Sequence, residues 1–151
     1  LTGLGAPFFN GSVRGCIMGI SRLTGNNEIV RASLDSIAFQ IGTVISLIAK
    51  SVDSPITEIH VDGGATKNTY LMQFQSDLTG IPLNVPDQAE LSGMGAAYMA
   101  AIAQGIYDES ILFKDGNFRR YVPDSSRHEP LLQKEKKWLR AVDLAISFSE
   151  N

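Results

Sequence analysis

Between Ile59 and Asn68 a short apolar strand, Ile59 and Val61 around His60, runs into Asp62-Gly63-Gly64 and then into a helix that begins near Asn68. Few local patterns restrict a fold more. Glycine has no Cβ, so a phosphate or ribose can lie against the backbone, and the N-terminus of the following helix offers free N–H groups carrying partial positive charge. In an open α/β sheet, ligands bind beyond the carboxyl ends of the strands, where Gly63 and Gly64 fall. Asn68 can donate or accept at a purine edge, or simply cap its helix. On these residues alone two readings stand side by side: contact with a nucleotide, or a structural turn followed by a cap.

The flanking sequence supplies the rest of the pattern. Residues 12–20 read as a glycine-containing strand, followed by a polar turn at residues 24–27. Val30, Leu34, Ile37, Ile41, Val44 and Ile48 then step by four and three, the apolar stripe of a core-facing helix. Asn26 or Asn27 is its expected cap, Glu28 suits the positive end, and Ser54-Pro55 closes it. Leu71, Phe74 and Leu78 line one face of a second helix that stops at Gly80. Ile81, Leu83 and Val85 alternate as a strand, with Pro82 suiting an edge position. A third helix is expected from about Ser92 to Gln104, ended by Gly105 and rich enough in Gly and Ala to pack very close to a neighbour. The order β-α-β-α-β-α predicts an α/β fold with parallel strands and crossover helices. After Phe113 the chain turns polar. A C-terminal amphipathic helix follows, with Leu132, Leu139 and Ile146 at heptad spacing beside Trp138 and Val142. Lys134, Lys136, Lys137 and Arg140 on it read as a solvated face, because Glu129 and Glu135 interrupt them.

Bulk properties narrow the partners. A chain of 151 residues with 44% hydrophobic and 19% charged residues suits one globular domain that buries roughly 70% of its unfolded surface. A net charge of −3 gives no reason to expect nucleic acid or an anionic membrane as partner. The apolar stretches read as shorter than a membrane span and no signal peptide is visible, so a cytoplasmic protein is expected. Cys16 has no second cysteine to pair with, and its apolar neighbours predict a buried, reduced thiol. The chain opens at Leu1 within a glycine-rich phrase, which suggests a piece of a longer protein.

Other chemistries find no support. There is no Gly-x-x-x-x-Gly-Lys-Ser/Thr phosphate loop, and Gly93-Met94-Gly95-Ala96-Ala97-Tyr98 puts Tyr98 where a dinucleotide fingerprint needs Gly or Ala. That segment reads better as close helix packing. His60 and His128 stand far apart without cysteine partners, so no zinc site is expected, and His60 reads as a packed core histidine. No catalytic triad order is present.

Three ordered motifs then carry a family resemblance. Gly3-Leu4-Gly5-Ala6-Pro7 with Arg14-Gly15, the pair Gly15–Ile20 and Glu28–Asp35 across a seven-residue spacer, and Val61–Ala65 with Asn68 and Leu71–Asp77 together resemble the C-terminal domain of the FGGY carbohydrate kinases. Glu90 with Gly95-Ala96-Ala97-Tyr98 resembles the family's closing helix. The resemblance implies an actin-like, ribonuclease H-like ATPase domain. Residues 1–113 would form part of that nucleotide-binding domain, and 114–151 a C-terminal extension with an amphipathic helix. ATP would bind between this domain and a second one, with Mg2+ and a sugar or polyol such as glycerol. By the same resemblance Gly63, Gly64 and Ala65 line the adenosine site and Asn68 reaches the adenine. Asp62 either sits beside the nucleotide or holds the glycine turn, and Ala96, Ala97 and Ala100 lie near the hinge. The catalytic aspartate and phosphate loops have no match here, so no catalytic residue and no metal ligand is assigned, and the isolated chain is expected to be inactive. An incomplete sheet would leave an edge that favours association, so a homo-oligomer is expected. The alternatives are a xylulose- or gluconate-kinase-like member of the family, and a non-catalytic actin-like ATP switch.

Overall fold

The computed structural model describes residues 3–87, 91–110 and 117–149. Its centre is a β-α-β unit. Strand β1 (Ile59–His60) leads through a 3-10 turn (Gly64–Lys67) into helix α2 (Thr69–Thr79), which returns the chain to strand β2 (Leu83–Pro86). The strands pair in parallel, Ile59 opposite Leu83 and His60 opposite Asn84. Gly80 ends α2 in the left-handed conformation at φ +69°, where a side chain would be strained, and its N–H donates to the Ser76 carbonyl.

Two helices flank α2. Helix α1 (Asn26–Ser51) and helix α4 (Ser125–Ser149) both pack on it, whereas helix α3 (Leu91–Ala103) makes no extensive contact with another element among the described residues. The core lies where α1, α2, α4 and the sheet meet. Leu71, Phe74 and Leu78 point into it from α2, Leu83 and Val85 from β2, Ala38 and Phe39 from α1, and Leu131 from α4. Phe39 stacks edge-on against Phe74 at 5.5 Å and also meets Trp138 at 5.9 Å, so one aromatic cluster joins the three helices. Pro82 stands just outside β2 and leaves the ladder intact.

A polar tie joins α2 to the start of α4. Asp77 is fully buried and accepts from the Gln73 side chain at 2.7 Å and from the Asp124 backbone at 2.9 Å. Arg127 Nη1 lies 2.7 Å from the other carboxylate oxygen, a charge contact without hydrogen-bond alignment that neutralises the buried group.

The structure differs from the sequence reading in several places. Residues 12–20 form no strand: among the described residues nothing pairs with them, and an unpaired strand has no ladder to hold it. Their exposure takes Cys16 with it, so the thiol is solvent-accessible rather than buried. The cap of α1 is Gly25, whose N–H donates to the Glu28 carboxylate at 2.9 Å, and α1 ends at Ser51. The predicted stripe on α1 is mostly on the open side, with Val30 61% and Ile48 49% exposed, while Ala38, Phe39 and Gly42 face α2. The small residues win that face because they admit a close helix crossing. By length and composition α1 is also apolar enough to cross a membrane, an 18-residue window of it reaching a mean hydropathy of 1.5, contrary to the reading of the apolar stretches as too short. A strand that the sequence did not announce, β3 (Phe118–Tyr121), pairs antiparallel with β2 and makes the sheet mixed, in the order β1-β2-β3. Glu90 and the expected boundary at 113/114 lie outside the described residues.

Candidate nucleotide-binding site

Val61 N–H still donates to the Asn84 carbonyl at 3.0 Å, so pairing with β2 continues to the last residue before the turn. The chain then leaves the sheet at its carboxyl end. Asp62 is exposed there and contributes no hydrogen bond to the turn among the described residues. The turn is held by Thr66, which sequence reasoning passed over: its N–H and its Oγ1 both donate to the Gly63 carbonyl, at 3.1 and 2.7 Å. A threonine three residues after a glycine is the signal that could have found it, because hydroxyls commonly close such turns.

The two glycines are not equivalent. Gly63 sits at φ +95° and ψ 174°, a region that L side chains rarely adopt, so the fold itself requires glycine there. Gly64 has no such φ, and a Cβ built on it would meet nothing within 4 Å. Neither backbone strain nor packing explains Gly64. Ala65 beside it is exposed.

Asn68 caps α2. Its Oδ1 accepts from the Leu71 N–H at 3.1 Å, and its own N–H donates to the Ala65 carbonyl at 3.1 Å, joining turn and helix. The first turn of α2 is braced from behind. Tyr70 donates to Asp35 Oδ1 at 2.5 Å, and the Arg31 guanidinium lies over the Tyr70 ring at 5.4 Å. Burial, and then the neighbouring Asp35 carboxylate, raise the Tyr70 phenol above its ordinary range and keep it a donor. Asp35 closes the Glu28–Asp35 motif and Tyr70 falls between Asn68 and the Leu71–Asp77 run, but nothing in the sequence pairs the two.

The other candidates fall elsewhere. His60 is no core residue: it faces outward from the sheet, bonded to Glu58 at 3.0 Å and edge-on to Phe118 at 5.3 Å. His60, Asn84 and Arg120 all approach Glu58; the hydrogen bond from His60 foremost, then that from Asn84, with the nearby Arg120 charge adding to them, hold its carboxyl below the usual range. Ala96, Ala97 and Ala100 are exposed on α3. No cluster of three or more His, Cys, Asp or Glu able to hold a metal exists among the described residues.

Comparison with known proteins resolves the family. The model of the C-terminal domain of the FGGY family of carbohydrate kinases matches residues 1–104. The chain belongs to this family. Among curated relatives, a glycerol kinase from Ralstonia nicotianae is 48% identical over 130 residues, covering 85% of this chain and 26% of the relative. A glycerol kinase from Bacillus subtilis is 37% identical over 97% of this chain and 30% of its own length. The chain thus spans between a fifth and a third of the curated relatives it matches. Among solved structures, Plasmodium falciparum glycerol kinase with ADP superposes with a TM-score of 0.76 at 28% identity, over 95% of this chain and 29% of that one. Gluconate kinase from Lactobacillus acidophilus gives a TM-score of 0.74 at 22% identity, over 96% of this chain and 30% of that one, a likeness of fold alone. The fold is that of the actin-like, ribonuclease H-like domain of these kinases.

Proposed function

We propose that this chain is the adenosine-binding, C-terminal part of an ATP-dependent polyol kinase that transfers the γ-phosphoryl group of ATP to a hydroxyl of glycerol or a close analogue. The observation that carries the reading is Gly64: the fold leaves its Cβ position empty, at the carboxyl end of a parallel strand, where a nucleotide would need the backbone bare. Gly63, Gly64 and Ala65 would lie against the adenosine and Asn68 at its base, with Asp62 beside it. Glycerol as substrate is supported by the glycerol kinases among the relatives.

The residues fit part of the chemistry. ATP, bound against the glycine turn, supplies the phosphoryl group. The turn holds the nucleoside end, and the Tyr70–Asp35 brace keeps the cap of α2 in place behind it. Mg2+ finds no donor set among the described residues. No residue of this chain is assigned to proton transfer from the acceptor hydroxyl, so the isolated chain should not turn over. The exposed apolar side of α1 supports the expectation of a homo-oligomer, and a cytoplasmic location accords with a metabolic kinase. The test is ATP-dependent phosphorylation by the full-length protein, with glycerol, xylulose and gluconate offered in parallel. Transfer to glycerol is expected; transfer to none of the three would refute the reading.

A further inference from the structure

We propose that the cavity between α1, α2 and α4 binds a small organic cation, a primary ammonium on a short apolar body, with Glu135 as its counter-charge. The inference stands apart from the nucleotide reading. The cavity, of about 230 Å3, lies between Gly42 and Ser46 of α1, Leu78 of α2, and His128, Leu132 and Glu135 of α4. At about 30 Å3 for each water-sized group, it has room for about eight non-hydrogen atoms. Gly42 makes the place for the acid: a Cβ there would stand 3.2 Å from Glu135 Oε1, so the carboxyl lies against bare backbone. Little answers its charge. Its one hydrogen-bond contact is with Thr43 Oγ1 at 3.5 Å, and no ion pair among the described residues includes it. Burial accordingly raises the carboxyl above its ordinary range, with Thr43 and then the His128 charge opposing. His128 adds a second acceptor. The Asp77 carbonyl can only accept, so Nδ1, which faces it at 3.0 Å, carries a proton; in the neutral ring Nε2 keeps a lone pair without a partner among the described residues. None of the described residues lining the cavity is Lys or Arg. A half-buried carboxylate without a cation, near an imidazole lone pair and two leucines, suits an ammonium group on a short alkyl chain and rejects an anion.

The test uses the full-length protein and three probes built on one pentyl chain: aminopentanol, pentanediol and hydroxypentanoate. They place an ammonium, a hydroxyl and a carboxylate at the same end of the same body, and each is of a size the cavity admits. Calorimetry should give aminopentanol a Kd of about 1 mM or tighter, and pentanediol a value at least about tenfold weaker. Hydroxypentanoate should show no measurable binding. This comparison needs no variant. Glu135→Gln then keeps the shape of the side chain and removes its charge. In that protein the preference for the amine over the diol should disappear, with the thermal midpoint held or raised. Equal wild-type binding of amine and diol would overturn the proposal, because no counter-charge would then be reading the ligand. So would a preference for the amine that survives in folded Glu135→Gln, which would put the cation elsewhere. Absence of aminopentanol binding at about 10 mM would overturn it equally.

Discussion

Gly42→Ala sets two effects of known size against each other. Gly42 sits in the interior of α1, where alanine is favoured over glycine by about 1 kcal/mol. A Cβ there would stand 2.8 Å from Leu78 Cδ2 and 3.2 Å from Glu135 Oε1, closer than ordinary van der Waals contact. Leu78 is only 2% exposed, so its methyl group can move only by displacing the core around it. Overpacking of this kind costs about 1–3 kcal/mol, which leaves Gly42→Ala destabilised by between about 0 and 2 kcal/mol. At roughly 2–4 °C per kcal/mol for a chain of this size, thermal unfolding should show a midpoint unchanged or lowered by up to about 8 °C. Shortening Leu78 as well should reveal favourable coupling between the two substitutions. A single variant more stable by the full helix-propensity gain would show that α1 and α2 do not cross this closely.

Two further substitutions probe the same helix junction. Phe74→Ala removes a ring that is 1% exposed and packed against Phe39 and Tyr70, so unfolding free energy should fall by about 3–5 kcal/mol in urea titration. Glu135 is half-buried between α4 and α1, and burial raises its carboxyl above the ordinary range against a weak opposing contact from Thr43 at 3.5 Å. A raised folded-state pKa means that its favourable contribution is complete below the unfolded value and is lost as pH rises through the folded one. Glu135→Gln should therefore be the more stable protein at pH 7, by about 1 kcal/mol or less, with an advantage that shrinks towards pH 4 in parallel melts. An advantage that grows on acidification would contradict the assignment.

What the sequence revealed follows from which contacts are local. Leu71, Phe74 and Leu78 recur at helical spacing, and all three enter the core. Gly80 marks the end of α2 because only glycine takes that φ without strain, and the β-α-β unit around it is spelled out in order. The errors concern contacts between elements. Apolar spacing locates α1 but not its inner face, which Ala38 and Gly42 take by letting α2 approach. Residues 12–20 have strand composition, yet a strand also needs a neighbour, and none is found among the described residues. Strand β3 is the reverse case. Phe118-Arg119-Arg120-Tyr121 lacks apolar alternation, and pairing with β2 makes it a strand. At the site, the glycine motif was legible, whereas the brace from Asp35 to Tyr70 joins residues 35 positions apart and leaves no local trace.

The most direct test lies at Gly64. In the full-length protein, Gly64→Ala places a methyl group in a space that the fold leaves empty, so its melting temperature should match or slightly exceed that of wild type. If the nucleotide needs that backbone bare, calorimetric affinity for ATP should nevertheless fall about tenfold or more. Undiminished ATP affinity in a protein of unchanged stability would mean that Gly64 touches no nucleotide, and the turn at residues 62–68 would be a turn and nothing more.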